Sequence, residues 1–153
     1  EIYTLSLHDA LPISIHARYQ YGFYAWKNKI DGMSSWTFQN TQNAGGVPGE
    51  SASSALDVYL AYPAPFGPLA TLKWEAVRAG IEDRKLIYQL EKRVIRMKLN
   101  GQDTKRYDDF LVRMNQMEME PCCNTVSCSI AGAHMLDQQR NAIVELILQA
   151  DKD

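Results

Sequence analysis

Apolar residues recur at helical spacing in four stretches of this chain, and the gaps between them are polar. In residues 15–30, IHARYQYGFYAWKNKI, Tyr19, Phe23, Trp26 and Ile30 stand four, three and four residues apart, which lines one face of a helix. Asp31 and Gly32 supply its stop signal. The longest periodic stretch follows Thr71, a good N-cap residue, and carries Ile81, Leu90, Val94 and Met97 before Asn100 and Gly101 end it. Gly80 lies inside this stretch and is expected to bend or loosen the helix, at about 1 kcal/mol relative to Ala. A third helix is expected over about 103–119, with Tyr107, Phe110, Leu111, Met114 and Met117 on one side and Pro121 beyond its end. A fourth, over 135–150, presents Leu136, Ile143, Val144, Ile147 and Leu148.

Between the first two helices the periodicity changes. Residues 33–38, MSSWTF, alternate so that Ser34, Trp36 and Phe38 share one face, the mark of a short strand. From Gln39 to Ala55 the chain is rich in Asn, Gln, Gly and Ser and offers too little apolar surface to offset ordering, so it reads as a long surface loop. LDVYLAYP, residues 56–63, is β-branched and aromatic and ends at proline, which predicts a second short strand or extended segment.

Composition narrows the class. The 153 residues are 46% hydrophobic, 22% charged and 10% aromatic, as in globular proteins. No apolar run reaches the roughly 18 residues that a membrane span needs, so no membrane partner is expected. The first stretch, EIYTLSLHDALPI, lacks the basic and apolar regions of a signal peptide. It resembles the in-frame translation of a common short-read sequencing adaptor, and residues 1–13 are read as non-native, which removes His8 and Asp9 from the candidates. Without Glu1 and Asp9 the 18 acidic residues fall to match the 16 Lys and Arg, so charge makes no case for nucleic acid. The expectation that follows is a C-terminal fragment of a longer protein.

Candidate chemistry is sparse. Glu82 and Asp83 tempt as an acid pair, but adjacent helical residues point about 100° apart and cannot flank one scissile bond as facing carboxylates, so a structural role is expected. Glu75, Arg78 and Glu82, spaced three and four, read as a charge ladder. Cys122, Cys123 and Cys128 give three ligands where structural zinc wants four, and an odd count cannot pair completely. His16 and His134 have no nucleophile motif nearby and read as surface residues. Dinucleotide, phosphate-loop and zinc-protease motifs are missing. No metal and no cofactor are expected.

Residues 71–90 carry a resemblance. TLKWEAVRAGIEDRKLIYQL is similar to the pattern S-L-R-W-E-A-L-R-D-G-I-E-D-Y-E-Y-L of the glycoside hydrolase family 123-like proteins, whose region is catalogued as domain of unknown function 4091. Thr71, Leu72, Lys73, Trp74, Glu75, Arg78, Gly80, Ile81, Glu82 and Asp83 match by identity or near replacement, whereas Ala79, Arg84 and Lys85 depart. Gly32 and Trp36 resemble the family's G-x-x-Y-W strand, with Ser35 in place of an aromatic.

The resemblance implies an α/β fold: residues 14–100 as the end of a (β/α)8 barrel, with its last helix, a final strand at 33–38 and a closing helix at 71–97, and residues 101–153 as a helical extension. A whole barrel needs about 250 residues, so this chain would hold only part of one. It further implies a parent that hydrolyses glycosidic bonds of N-acetylhexosaminides through an Asp-Glu pair on an earlier strand. Carbohydrate is then the partner, reached through the full-length protein, and the segment itself supplies no catalytic residue. At a strand mouth Trp36 would stack on a sugar ring or pack at the rim, Gln39 and Asn40 would donate to hydroxyls or remain solvated, and Tyr62, with Tyr59, is a weaker binding candidate. The alternatives are a non-catalytic helical or carbohydrate-binding module and a helical protein unrelated to sugars.

Overall fold

The computed structural model describes residues 15–34, 60–62, 66–67, 69–118 and 126–152, with backbone alone at Tyr62 and 126–130. Four helices dominate these residues. Helix α1 covers 15–27 and contains a π-turn at Gln20–Tyr24; α2 is Leu72–Leu99, α3 Lys105–Gln116 and α4 Val126–Ala150. The one sheet among them is a two-stranded antiparallel hairpin, β1 (Ala61–Tyr62) against β2 (Leu69–Ala70), with Ala61 opposite Ala70 and Tyr62 opposite Leu69.

This corrects the expected α/β architecture, because the chain forms a helical bundle and not the end of a parallel barrel. A barrel strand is held by a parallel neighbour on each side. Met33 and Ser34, the start of the expected strand, are exposed and non-strand, and Trp36 and the rest of 33–38 lie outside the described residues. Of 56–63, residues 60–62 are described, and Ala61–Tyr62 pairs antiparallel with a segment that immediately precedes α2.

Helix α2 forms where the periodicity places it. Thr71 is in extended backbone and its Oγ1 accepts a hydrogen bond from the Trp74 amide at 3.1 Å, satisfying one of the unpaired donors of the first turn. The Thr71 hydroxyl also donates to the Leu60 carbonyl at 2.9 Å, tying the hairpin to the helix start. At the other end the Gly101 and Gln102 amides donate to the Lys98 and Met97 carbonyls, and Gly101 takes φ 74°, which closes the helix with a left-handed glycine. Helix α1 stops earlier than Asp31–Gly32 suggested: Lys29, at φ 53°, turns the chain.

One core joins all four helices. Tyr19, Phe23 and Trp26 of α1, Ile87, Leu90, Val94 and Met97 of α2, Tyr107, Phe110 and Met114 of α3, and Leu136, Ile143 and Ile147 of α4 are buried together. The core therefore runs across residue 100 without a break. A smaller cluster, Ala17, Leu60, Ala76 and Val77, seats the hairpin under the start of α2. Three expected apolar positions face outward instead: Ile81, Val144 and Leu148 are exposed.

Gly80 does not loosen α2. It is the point where α1 and α2 touch backbone to backbone: a Cβ on Gly80 would collide with the Arg18 carbonyl oxygen, and one on Gly22 would stand 2.9 Å from the Gly80 carbonyl oxygen. Gly22 belongs to the π-turn of α1, and Arg18 to the α-helical turn just before it.

Candidate functional site

The strongest concentration of charge inside the bundle centres on Asp83, one turn after Gly80 and fully buried. The glycine contact brings α1 near enough for Arg18 to reach it. Arg18 donates from Nε to Asp83 Oδ2 at 2.7 Å and from Nη2 to Oδ1 at 3.4 Å, and Arg140 of α4 donates to Oδ1 at 2.5 Å. Arg18 also donates from Nη1 to Asp137 of α4 at 2.6 Å. Two carboxylates and two guanidiniums thus form a chain, Asp137–Arg18–Asp83–Arg140, that makes a circuit of α1, α2 and α4 through the backbone of α4.

The electrostatics favour a fixed ion network. Burial alone would lower the Arg18 guanidinium, but hydrogen bonds to Asp83 and Asp137 and the charges of both carboxylates outweigh it and hold the group above its ordinary value. Charge-assisted bonds of this kind are short and about twice as strong as neutral ones. With both oxygens of Asp83 occupied by cations, the carboxylate is arranged to join helices and not to transfer a proton. Its expected structural role is what the geometry assigns. Glu82, on the adjacent face, is exposed and paired with Lys85 at 2.8 Å. Its carboxyl is held below the usual range, first by the Lys85 hydrogen bond and then by that charge. Arg78 pairs with Glu75, so the expected ladder forms as two separate i, i+3 pairs.

The binding residues expected from the sequence are not brought together among the described residues. Trp36, Gln39, Asn40 and Tyr59 lie outside them, and Tyr62 contributes backbone to β1, opposite Leu69. Cys122 and Cys123 also lie outside them, and Cys128 falls in α4 where only backbone is described. His16 and His134 are exposed, as expected. No group of three metal-ligating side chains occurs among the described residues, and no described helix is long and apolar enough to cross a membrane.

Two open grooves remain. One of about 550 Å³ runs between α3 and α4 and is lined by Arg113, Gln116, Met117, Gln138 and Gln139 over the edge of Phe110. The other, about 420 Å³, lies beside α2 between Tyr21, Met33, Ile81, Arg84 and Tyr88. Arg84 lies 5.3 Å from the Tyr88 ring centre and donates to its hydroxyl at 2.9 Å. Sequence reasoning did not find either groove, since each is assembled from residues on two elements whose packing had to be known first. Comparison with protein-family models, with curated proteins and with solved structures gives no match.

Proposed function

We propose that this chain is the helical C-terminal part of a glycoside hydrolase-like protein, in which it supplies architecture while residues elsewhere cleave the glycosidic bond, with an N-acetylhexosaminide as the substrate class. The observation that carries the reading is where the resemblance falls in three dimensions. Within 71–90, the positions matching the family pattern include Thr71, Gly80 and Asp83, and each performs a structural task that its residue type is suited to. Thr71 caps α2 and anchors the hairpin, Gly80 permits the α1 contact, and Asp83 binds Arg18 and Arg140. Residues with such tasks belong to a scaffold.

A second reading, a non-catalytic helical module, is favoured by the occupation of both Asp83 oxygens by Arg18 and Arg140 and by the pairing of Glu82 with Lys85. Recovery of the contiguous upstream reading frame separates the two. An adjacent Asp-Glu pair upstream, with release of chromophore from an aryl N-acetylhexosaminide by the whole protein and none by residues 14–153 alone, is the expected result. A whole protein that has no such pair and turns over no aryl glycoside would overturn the hydrolase reading in favour of the module.

A further inference from the structure

Helix α2 has a second apolar face. While Ile87, Leu90, Val94 and Met97 point into the bundle, Ile81, Tyr88 and Ile95 recur every seven residues on a different side, with Trp74 at the head of the row and Leu99 at its end. These five are between 38% and 82% exposed. A seven-residue repeat drifts only about 20° per heptad along a straight helix, so they form a nearly axial ridge roughly 30 Å long from Trp74 to Ile95. Apolar side chains scattered singly over a surface are ordinary, whereas these line up as one of the two rows of a helix seam, with the stems of Arg78, Lys85 and Lys92 at the positions of the other. The 420 Å³ groove at Tyr21, Met33 and Ile81 runs alongside and deepens one flank.

Charge says what fits there. Arg78, Lys85 and Lys92 border the ridge, also every seven residues, and Arg96 continues that border one turn on. Arg78 and Lys85 are balanced by Glu75 and Glu82, whereas Lys92 forms no ion pair among the described residues and Arg96 lies within electrostatic reach only of Asp151, which Arg93 already binds. A second copy of α2 laid antiparallel on the ridge would bring Glu75 and Glu82 toward Lys92 and Arg96, but Arg78 and Lys85 already hold those two carboxylates, so a copy offers no unpaired acid to this end of the border. We propose that the ridge is a docking seam for an amphipathic helix of a partner protein whose apolar row is bordered by Asp and Glu. The inference stands on the geometry of α2 and is independent of any glycosidase activity.

The test uses the whole chain and two labelled helical peptides with the same leucine heptads, one flanked by Glu and the other by Lys. The Glu-flanked peptide is expected to bind by fluorescence anisotropy, more weakly as salt is raised to about 0.5 M. Ile81→Asp and Ile95→Asp should abolish binding. Lys92→Glu combined with Arg96→Glu should weaken it on the order of tenfold and shift preference toward the Lys-flanked peptide. Because all four positions are exposed, unchanged helical circular dichroism of the variants identifies the loss as one of binding. Equal binding of both peptides, binding of neither, a dimer in sedimentation that Ile95→Asp dissolves, or binding that appears only after residues 39–55 are deleted would each overturn the proposal. So would capture by anionic phospholipid vesicles without capture of the acidic peptide.

Discussion

Gly22 and Gly80 sit at one helix contact so tight that a methyl on Gly22 would press on the Gly80 carbonyl and one on Gly80 would press on the Arg18 carbonyl. Ala is the better helix former by about 1 kcal/mol, so Gly80→Ala would stabilise α2 if the residue were free. Here the obstacle is the Arg18 carbonyl, a backbone atom that cannot swing aside. Overpacking of this kind costs about 1–3 kcal/mol. Gly80→Ala is therefore expected to lower the urea midpoint, and unchanged or raised stability would show that the two helices have room to separate.

Removing Asp83 should be more damaging. It would leave Arg18, 14% exposed, and Arg140 facing an interior without a counter-charge. Breaking a buried pair from one side costs about 3–5 kcal/mol. Asp83→Ala is expected near that range by chemical denaturation, and Asp83→Asn should also destabilise, because an amide keeps one acceptor but loses the charge. Arg140→Ala should cost less, since Arg140 is partly solvated and Arg18 still reaches Asp83.

Thr71 has two tasks, so its replacement has two consequences. Thr71→Ala removes the cap on Trp74 and the hydroxyl bond to Leu60. Loss of a cap costs about 1 kcal/mol, and the hairpin should detach at the same time. Thr71→Ser keeps both oxygen contacts and is expected to restore most of the stability. Amide hydrogen exchange at Ala61 and Ala70 reports whether the hairpin loosens with the cap.

Acid should weaken the bundle at two corners. Asp108 is held below the usual carboxylate range first by the Lys98 hydrogen bond, against a burial that raises it, with Thr104 helping. Asp151 is lowered first by Arg93, which donates to both its oxygens. A carboxyl depressed in the folded state contributes stability that is present above the unfolded value of about 3.9 and is lost as pH falls through the lower folded value. Stability should therefore be flat from neutral pH to about 5 and fall below about 4. In a carboxyl titration by NMR, Lys98→Gln should move Asp108 upward and leave Asp151 in place.

Much of the bundle was legible because its signals are local. Thr71 and Asn100–Gly101 mark the ends of α2 through backbone donors and acceptors that must be satisfied within a turn, and Tyr107, Phe110 and Met114 reveal α3 by their spacing. What was misread depends on distant partners. Gly80 looked like a weak point because α1 was needed to see the close approach, and Asp83 could be assigned to structure but not to Arg18 and Arg140, which lie on other helices. The alternation at 33–38 suggested a strand, yet a strand exists only when another backbone completes its ladder; Met33 and Ser34 are non-strand, and the rest of the stretch lies outside the described residues. Val144 and Leu148 fit the apolar pattern of α4 but lie beside its buried line of Leu136, Ile143 and Ile147. The expected sugar-binding residues Trp36, Gln39 and Asn40 fall outside the described residues, so the candidate site now rests on side chains that only the packing could unite.

The Asp83 circuit also sets an order of assembly. Its bonds join residues 65, 57 and 119 positions apart in sequence, whereas helices form from neighbours. Loop closure over such spans has to precede any electrostatic gain, which slows folding relative to bundles with mostly local contacts. Helix α2, lying between the two arginines in the chain, is then the template onto which the flanking segments condense, and the bonds of Asp137 and Arg140 close only once α4 docks.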